Sequence, residues 1–260
     1  MNTRSLISRL GKKFPKKSAA EYDYPGLQVA KFHDETNNIL LALDFDRFVF
    51  EYMENENLLD KIDLVITHHP FIYGKRRDVL SNDEEKNKLF LKMEELNIPV
   101  FSLHTNFDTC KDGMNDALTE ALCLEDIKPL ENYPMARGGR LPKPMKAEDF
   151  SKYAIEKLDL DYAHLINSGK EIIETVAIVG GGGSRARKVA KEEGYDIFIS
   201  GDIPHYARRD ICIYNYNFLD VPHEVEQIFM KQFKKILLSI DSSLNVICVY
   251  QEKLPKLICK

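Results

Sequence analysis

Short apolar runs alternate with helix-period segments along almost the whole chain, and this alternation limits the possible folds more than any other feature. Strand patterns fall near 38–45, 62–67 and 99–104, and again near 175–180, 196–200, 216–221 and 245–251. Helical patterns lie between or after them, near 46–58, 83–96, 113–122, 147–158, 184–194 and 223–237. Alternation of this kind builds βαβ units, because parallel strands need a crossover and the crossover is usually a helix. The expectation is an α/β protein: two α/β domains with largely parallel sheets flanked by helices. Pro and Gly are dense in Glu131-Asn-Tyr-Pro-Met-Ala-Arg-Gly-Gly-Arg-Leu-Pro-Lys-Pro144, which reads as a linker or crossover. That places an N-terminal domain over 1–130 and a C-terminal domain over 131–260. Leu6, Ile7 and Leu10 have helical spacing and predict a short packed helix at the start. With 260 residues, 44% of them hydrophobic, the chain can bury a sizeable core.

Chemistry-bearing residues collect where the apolar runs stop. Ile62, Leu64, Val65 and Ile66 read as a buried strand, and Thr67-His68-His69-Pro70 follows. Pro70 forces the chain out of the ladder, so both histidines fall at the strand end, where open α/β sheets place their ligands. Neighbouring strand residues face opposite ways, so both imidazoles can address one cleft only if the backbone turns there. One packed and one solvated histidine is the plain alternative. A second run, Val100-Phe101-Ser102-Leu103, ends in His104-Thr105-Asn106-Phe107-Asp108. Late in the chain, His223 and Glu226 stand three apart at the opening of an amphipathic helix, on one face of it.

Imidazole and carboxylate together suit Zn, Fe or Mn, whereas an all-oxygen set would suggest Mg or Ca. Singly, Asp108 could bond turn amides and Glu226 could favour a helix N-terminus. Jointly, ligand-type residues at three strand ends are what a site needs and a core does not. His68, His69, Asp108, His223 and Glu226 exceed what one catalytic zinc takes from protein, and two ions bridged by a carboxylate would use them all.

The motifs Asp23-Tyr24-Pro25-Gly26-Leu27-Gln28-Val29, Ile66-Thr67-His68-His69-Pro70, His104-Thr105-Asn106-Phe107-Asp108, Gly138-Gly139-Arg140-Leu141, Gly181-Gly182-Gly183-Ser184, Ser200-Gly201-Asp202-Ile203 and His223 to Glu226 occur in a telling order. In this the chain resembles the Nif-three-like proteins, also called the dinuclear-metal-centre or GTP cyclohydrolase I type 2-like family, from about Phe14 to about Phe233. The resemblance implies that His68, His69, Asp108, His223 and Glu226 hold two divalent ions (Zn, Fe or Mn) and that His104 lines the same pocket. It also implies a two-domain protomer in a hexameric ring, with metals facing an internal cavity. Because the ligands come from both halves, the metal site is expected in the interdomain cleft.

Three departures stand out. Pro222 precedes the late histidine where the family commonly has Gly, and the glutamate spacing is the shorter of two, which leaves Glu224 as the alternative to Glu226. In Gly201-Asp202-Ile203-Pro204-His205-Tyr206 only one histidine remains where two consecutive ones are common. No long domain is inserted between the halves.

The reading that follows is a hydrolase working through metal-activated water, with Asp108 bridging the ions and His104 or His205 carrying protons. Its substrate would be a nucleotide or another small phosphate-containing compound. A non-catalytic metal-binding scaffold or metal-handling protein is the alternative. Gly180-Gly181-Gly182-Gly183-Ser184 could cradle an anion with Arg185 and Arg187, or be a tight turn with Ser184 as N-cap. Lys75-Arg76-Arg77 and Arg208-Arg209 are solvated faces unless the substrate carries phosphate, and Tyr73 and Phe71 could stack a base or simply pack.

Net charge of −5 and a pI of about 5.9 give no global field toward nucleic acid or an anionic membrane. Cys110, Cys123, Cys212, Cys248 and Cys259 form no Cys-x-x-Cys pair, which argues for reduced thiols and a cytoplasmic home. The apolar C-terminal stretch Ile236-Leu237-Leu238-Ser239-Ile240, with Val246, Ile247, Val249 and Tyr250, is either an ordinary last helix and strand or an oligomer interface.

Overall fold

A computed structural model describes residues 1–250 and 258, so residue 251 of the last expected strand and Cys259 lie outside the described residues. Eleven strands are formed among them: β1 Gly26–Val29, β2 Asn38–Ala42, β3 Leu64–Thr67, β4 Val100–Ser102, β5 Glu125–Pro129, β6 Arg137–Lys146, β7 His164–Asn167, β8 Ile172–Ile178, β9 Ile197–Ser200, β10 Asn217–Asp220 and β11 Asn245–Cys248. They make two sheets, in the orders β1-β4-β3-β2-β11 and β5-β6-β8-β9-β10-β7. The expected architecture, two α/β units each with a sheet and flanking helices, is the one observed.

The units do not divide at 131. One comprises Met1–Cys110 and Phe229–Lys260, the other Lys111–Ile228. The C-terminal segment returns to the first unit because β11 pairs in parallel with β2, Val246 opposite Ile39 and Ile247 opposite Leu40. The apolar end of the chain forms the last helix, Ile228–Ile240, and the last strand, where Leu237 is fully buried and Ile236 and Val246 nearly so, whereas Tyr250 beyond them is 59% exposed.

In the first unit β2, β3, β4 and β11 are parallel and only β1 runs against its neighbour. Leu64, Val65 and Ile66 have no exposed surface, as a central strand covered on both faces requires. The helix Thr3–Lys13 buries Leu6 and Leu10, capped by the Asn2 side chain accepting from Ser5 N–H.

The second sheet is mixed: β8, β9 and β10 are parallel, whereas β5, β6 and β7 pair antiparallel. The segment read as a linker is largely strand β6. Its glycines serve close packing, since a Cβ on Gly138 would overlap the Tyr195 ring and one on Gly139 would meet Glu125 O at 2.8 Å. Pro142 and Pro144 fall where the β6–β8 register shifts between Arg140 and Met145, the irregularity that lets a strand tolerate residues without an N–H. No helix among the described residues is long and apolar enough to cross a membrane. Cys110, Cys123, Cys212 and Cys248 are free thiols.

Candidate metal centre

The end of β3 turns sharply enough to aim two consecutive histidines the same way. The N–H groups of His68 and His69 both donate to Leu43 O, at 3.1 and 3.0 Å, and the Thr67 hydroxyl donates to His69 O at 2.8 Å. Alternation of side chains is thereby broken, and the two ring centroids lie 4.9 Å apart. The end of β4 brings in a third ring. His104 sits 5.2 Å from His68 and 5.5 Å from His69 between centroids, and one donor atom from each of the three lies within 4.8 Å of the others. Its position is fixed by its own N–H donating to the Asn106 side chain, which in turn donates to Phe14 O.

Asp108, 7% exposed on the helix Thr105–Thr109, places Oδ1 3.6 Å from His68 Nε2. That is longer than a hydrogen bond, and it suits two ligands sharing one ion: bonds of about 2.1 Å at a tetrahedral angle hold donor atoms about 3.4 Å apart.

Each ring is held at Nδ1. His68 Nδ1 meets Leu103 O at 2.9 Å, His69 Nδ1 meets Asp44 Oδ2 at 2.8 Å, and His104 Nδ1 meets Asp23 Oδ1 at 2.8 Å. Carbonyl and carboxylate oxygens only accept, so Nδ1 carries the proton and a neutral ring keeps its lone pair at Nε2. Asp23 also accepts from the Thr105 N–H and hydroxyl. Burial pushes the Asp23 carboxyl up, but the bonds from His104 and Thr105 outweigh it and hold it down at about 2.

The second unit repeats the device once. His223 and Glu226 lie on a 3₁₀ turn, His223–Gln227, that precedes the helix Ile228–Ile240. At three residues per turn positions i and i+3 eclipse, which brings His223 Nε2 to 3.0 Å from Glu226 Oε2. Asp202 accepts from His223 Nδ1. The bond to Glu226, with a smaller share from Asp202, raises the His223 ring to about 9 against the opposing effect of burial. Glu226 is 4% exposed and contacts His223, which favours it over the more open Glu224 as a donor.

The model of the Duf34/NIF3 (NGG1p interacting factor 3) family matches residues 1–255. The chain belongs to the Duf34/NIF3 family. It is 30% identical over 246 residues to a GTP cyclohydrolase 1 type 2 homolog of Methanocaldococcus jannaschii, covering 92% of this chain and 96% of that one. A homolog of the same name in Lactococcus lactis is 28% identical, covering 89% and 90%. Among solved structures, reduced HcgD from Methanocaldococcus jannaschii is 29% identical with a TM-score of 0.79, covering 95% of this chain and 97% of that one. A Bacillus cereus protein related to NIF3, 19% identical, has the same fold with a TM-score of 0.86, covering 100% and 99%.

In this NIF3 family member the donor chemistry fits a metal: imidazole nitrogens oriented by a second acceptor, with carboxylates beside them. His205 stands apart from that pattern. It is exposed at the first residue of the helix His205–Ile213 and joins none of the converging donor groups among the described residues.

Two amides of the glycine loop are used internally: Gly180 N–H donates to Asn115 Oδ1 and Gly183 N–H to Ser200 Oγ. Ser184 does not cap the turn that follows, and Arg187 is buried against Asp210. What the loop supplies is room. A Cβ on Gly181 would lie 2.9 Å from Glu226 Cδ and 3.0 Å from His223 Nε2. Phe71 is 3% exposed and packs on Phe45, so it is core, whereas Tyr73 is 49% exposed and its ring lies 6.1 Å from that of His104. Asp44, Asp23 and Asp202 hold three of the rings, and sequence reasoning assigned them no such part. Asp44 had a signal, since it follows a buried strand as His68 follows β3.

Proposed function

We propose that this protein is a metal-dependent hydrolase whose His68, His69, Asp108, His223 and Glu226 hold two divalent ions. The observation that supports the reading is the fixing of the three histidines of that set, His68, His69 and His223, through Nδ1, two by carboxylates and one by a carbonyl. Packing alone gives no reason to hold every ring in that tautomer; metal ligation does. A bound divalent ion supplies a Lewis acid that brings the pKa of water near 7 and polarises a substrate oxygen.

The chain's own residues do the rest. His104, backed by Asp23, is a histidine–carboxylate dyad beside the ligands, the arrangement by which an imidazole accepts a proton at Nε2 and passes it on. His205 is not needed for that step. Asp44 and Asp202 keep the His69 and His223 rings from turning. The relatives' name points to a nucleotide or another small phosphate-containing compound as substrate. We assign the protein to the cytoplasm on its thiols, and propose a homohexamer on the family resemblance.

The test is reconstitution with Zn, Fe(II) or Mn, elemental analysis, and turnover of GTP and other nucleotides. Two ions per chain and turnover abolished by chelator are expected, with His104→Ala keeping its metal and losing about 10²-fold or more in rate. Metal bound without turnover of any nucleotide would favour a scaffold. Metal loss in His104→Ala equal to that in His69→Ala would make His104 a ligand.

A further inference from the structure

A cavity of about 200 Å³ in the first unit is lined by Lys16, Tyr24, Leu27, Gln28, Ile72 and Arg76, among others. It borders the histidine cluster. Tyr24 follows Asp23, the carboxylate that holds His104, and the Tyr73 ring meets Tyr24 at 5.7 Å and His104 at 6.1 Å.

The cavity is cationic and already built. Arg76 donates to Gln28 O at 3.0 Å and lies over the Phe90 ring at 5.3 Å. Gln28 is itself tied down, donating to Tyr24 O and Gly26 O and accepting from Ile72 N–H. No carboxylate lines the cavity, and neither Lys16 nor Arg76 forms an ion pair among the described residues. Both side chains are exposed, so they stand charged at the mouth of the cavity where an anion from outside can meet them. A held guanidinium keeps further N–H donors for an oxyanion, and its preorganisation lowers the cost of binding one.

Size narrows the ligand. Whole ligands occupy roughly 300–1,000 Å³, so this cavity takes one end of a molecule. Tyr24 in its lining, 42% exposed, and Tyr73, 49% exposed with its ring 5.7 Å from that of Tyr24, offer faces to a planar ring.

We propose that Lys16 and Arg76 form a subsite for the phosphate of a phosphomonoester, whose planar ring lies against Tyr24 and Tyr73 and directs the rest of the molecule to His104. That this ligand is the substrate rests on the hydrolase reading; its binding does not, because no residue of the subsite is a metal ligand.

The experiment is calorimetric titration of chelator-treated protein with adenosine 5′-monophosphate, adenosine and inorganic phosphate. The nucleotide should bind at least about tenfold more tightly than either fragment. Lys16→Met and Arg76→Met should each weaken the nucleotide about tenfold or more and leave adenosine unchanged. Tyr24→Leu should weaken both nucleotide and nucleoside. Arg76→Met removes a backbone contact as well, whereas Lys16 is exposed on a 3₁₀ turn and its replacement leaves the fold alone. Nucleotide binding that is absent, or equal in wild type and Lys16→Met, overturns the subsite whatever the metal-loaded protein does. Inorganic phosphate binding as tightly as the nucleotide overturns the ring's part. Absence of turnover with nucleotide binding intact and sensitive to Lys16→Met refutes the hydrolase reading and leaves the subsite standing.

Discussion

Gly181→Ala strikes the second unit's donor pair without touching either donor. Gly181 has φ of +59°, the left-handed region, which costs an alanine roughly 1–2 kcal/mol. Its new methyl would overlap Glu226 Oε1 and crowd His223 Nε2 at 3.0 Å, so the buried carboxylate must swing away from the imidazole. Breaking a buried polar contact adds about 1–3 kcal/mol, and the stiffer unfolded chain returns about 0.4–1 kcal/mol. The net is a loss of about 1–5 kcal/mol. Gly182→Ala is the control, since its methyl would sit 3.6 Å from Asp202 Oδ2 in ordinary contact and its φ is not positive. Thermal unfolding and elemental analysis after reconstitution read the two effects. Gly181→Ala should unfold several degrees lower and lose metal, while Gly182→Ala should match wild type on both counts. A Gly181→Ala protein with full metal content would refute the assignment of His223 and Glu226 as ligands, and equal damage from Gly182→Ala would show that the loop, not the donor pair, was disturbed.

Asp23→Asn should lose about 2 kcal/mol of stability at neutral pH, because a carboxyl held at about 2 instead of 3.8 contributes fully above the higher value and loses that contribution as pH falls toward the lower. Denaturant unfolding from pH 6 to pH 2 should therefore converge for variant and wild type; parallel curves would show the charge of Asp23 to be irrelevant. His223, raised to about 9, stabilises the metal-free fold below its ordinary value of 6.5 and loses that contribution as pH rises through 9. Metal must displace the same proton, so affinity should climb about tenfold per pH unit from 7 toward 9, and less steeply in Asp202→Asn, measured by competition with a chelator. Gly138→Ala drives a methyl into the Tyr195 ring and should destabilise the second unit by about 1–3 kcal/mol, a shift visible in urea unfolding; a neutral variant would mean that β6 yields more readily than its pairing suggests. Light scattering should give about six times the 30.0 kDa protomer, and a mass near 30 kDa would refute the hexamer.

The sequence spoke most clearly where one strong period ruled a segment. Buried parallel strands such as Leu64–Thr67 and capped helices such as Glu84–Glu95 stood within a residue or two of their expected places. It misled where composition carried two meanings. Gly138, Gly139, Pro142 and Pro144 look like linker residues, yet the glycines admit Tyr195 and the backbone of β5, and the prolines sit at a register shift. The turn into the last helix was misread in kind: helical spacing of His223 and Glu226 is also 3₁₀ spacing, and Pro222, lacking an N–H and fixing φ, starts the tighter turn. The division between units was hidden for another reason. Pairing of β11 with β2 joins Asn245 to Asn38, a contact between residues some two hundred positions apart that no local period records.

For the site, donors were legible and their supports were not. A histidine doublet before proline announces itself, but which oxygen will hold Nδ1 depends on the tertiary approach of β2 to β3 and of the Asp23 loop to β4. The supports follow a physical order once seen. His68, with no exposed side-chain surface and the rings of Phe107 and Phe229 around it, is held by a neutral carbonyl. His69, His104 and His223, whose side chains are 21%, 19% and 38% exposed, are held by carboxylates. Asp44 and Asp202, 44% and 58% exposed, share their load with water, whereas Asp23 has no exposed side-chain surface and its desolvation is offset by the bonds it accepts from His104 and Thr105. The neutral carbonyl behind His68 spares the driest of the rings a second buried carboxylate, since Asp108 already stands 3.6 Å from its Nε2.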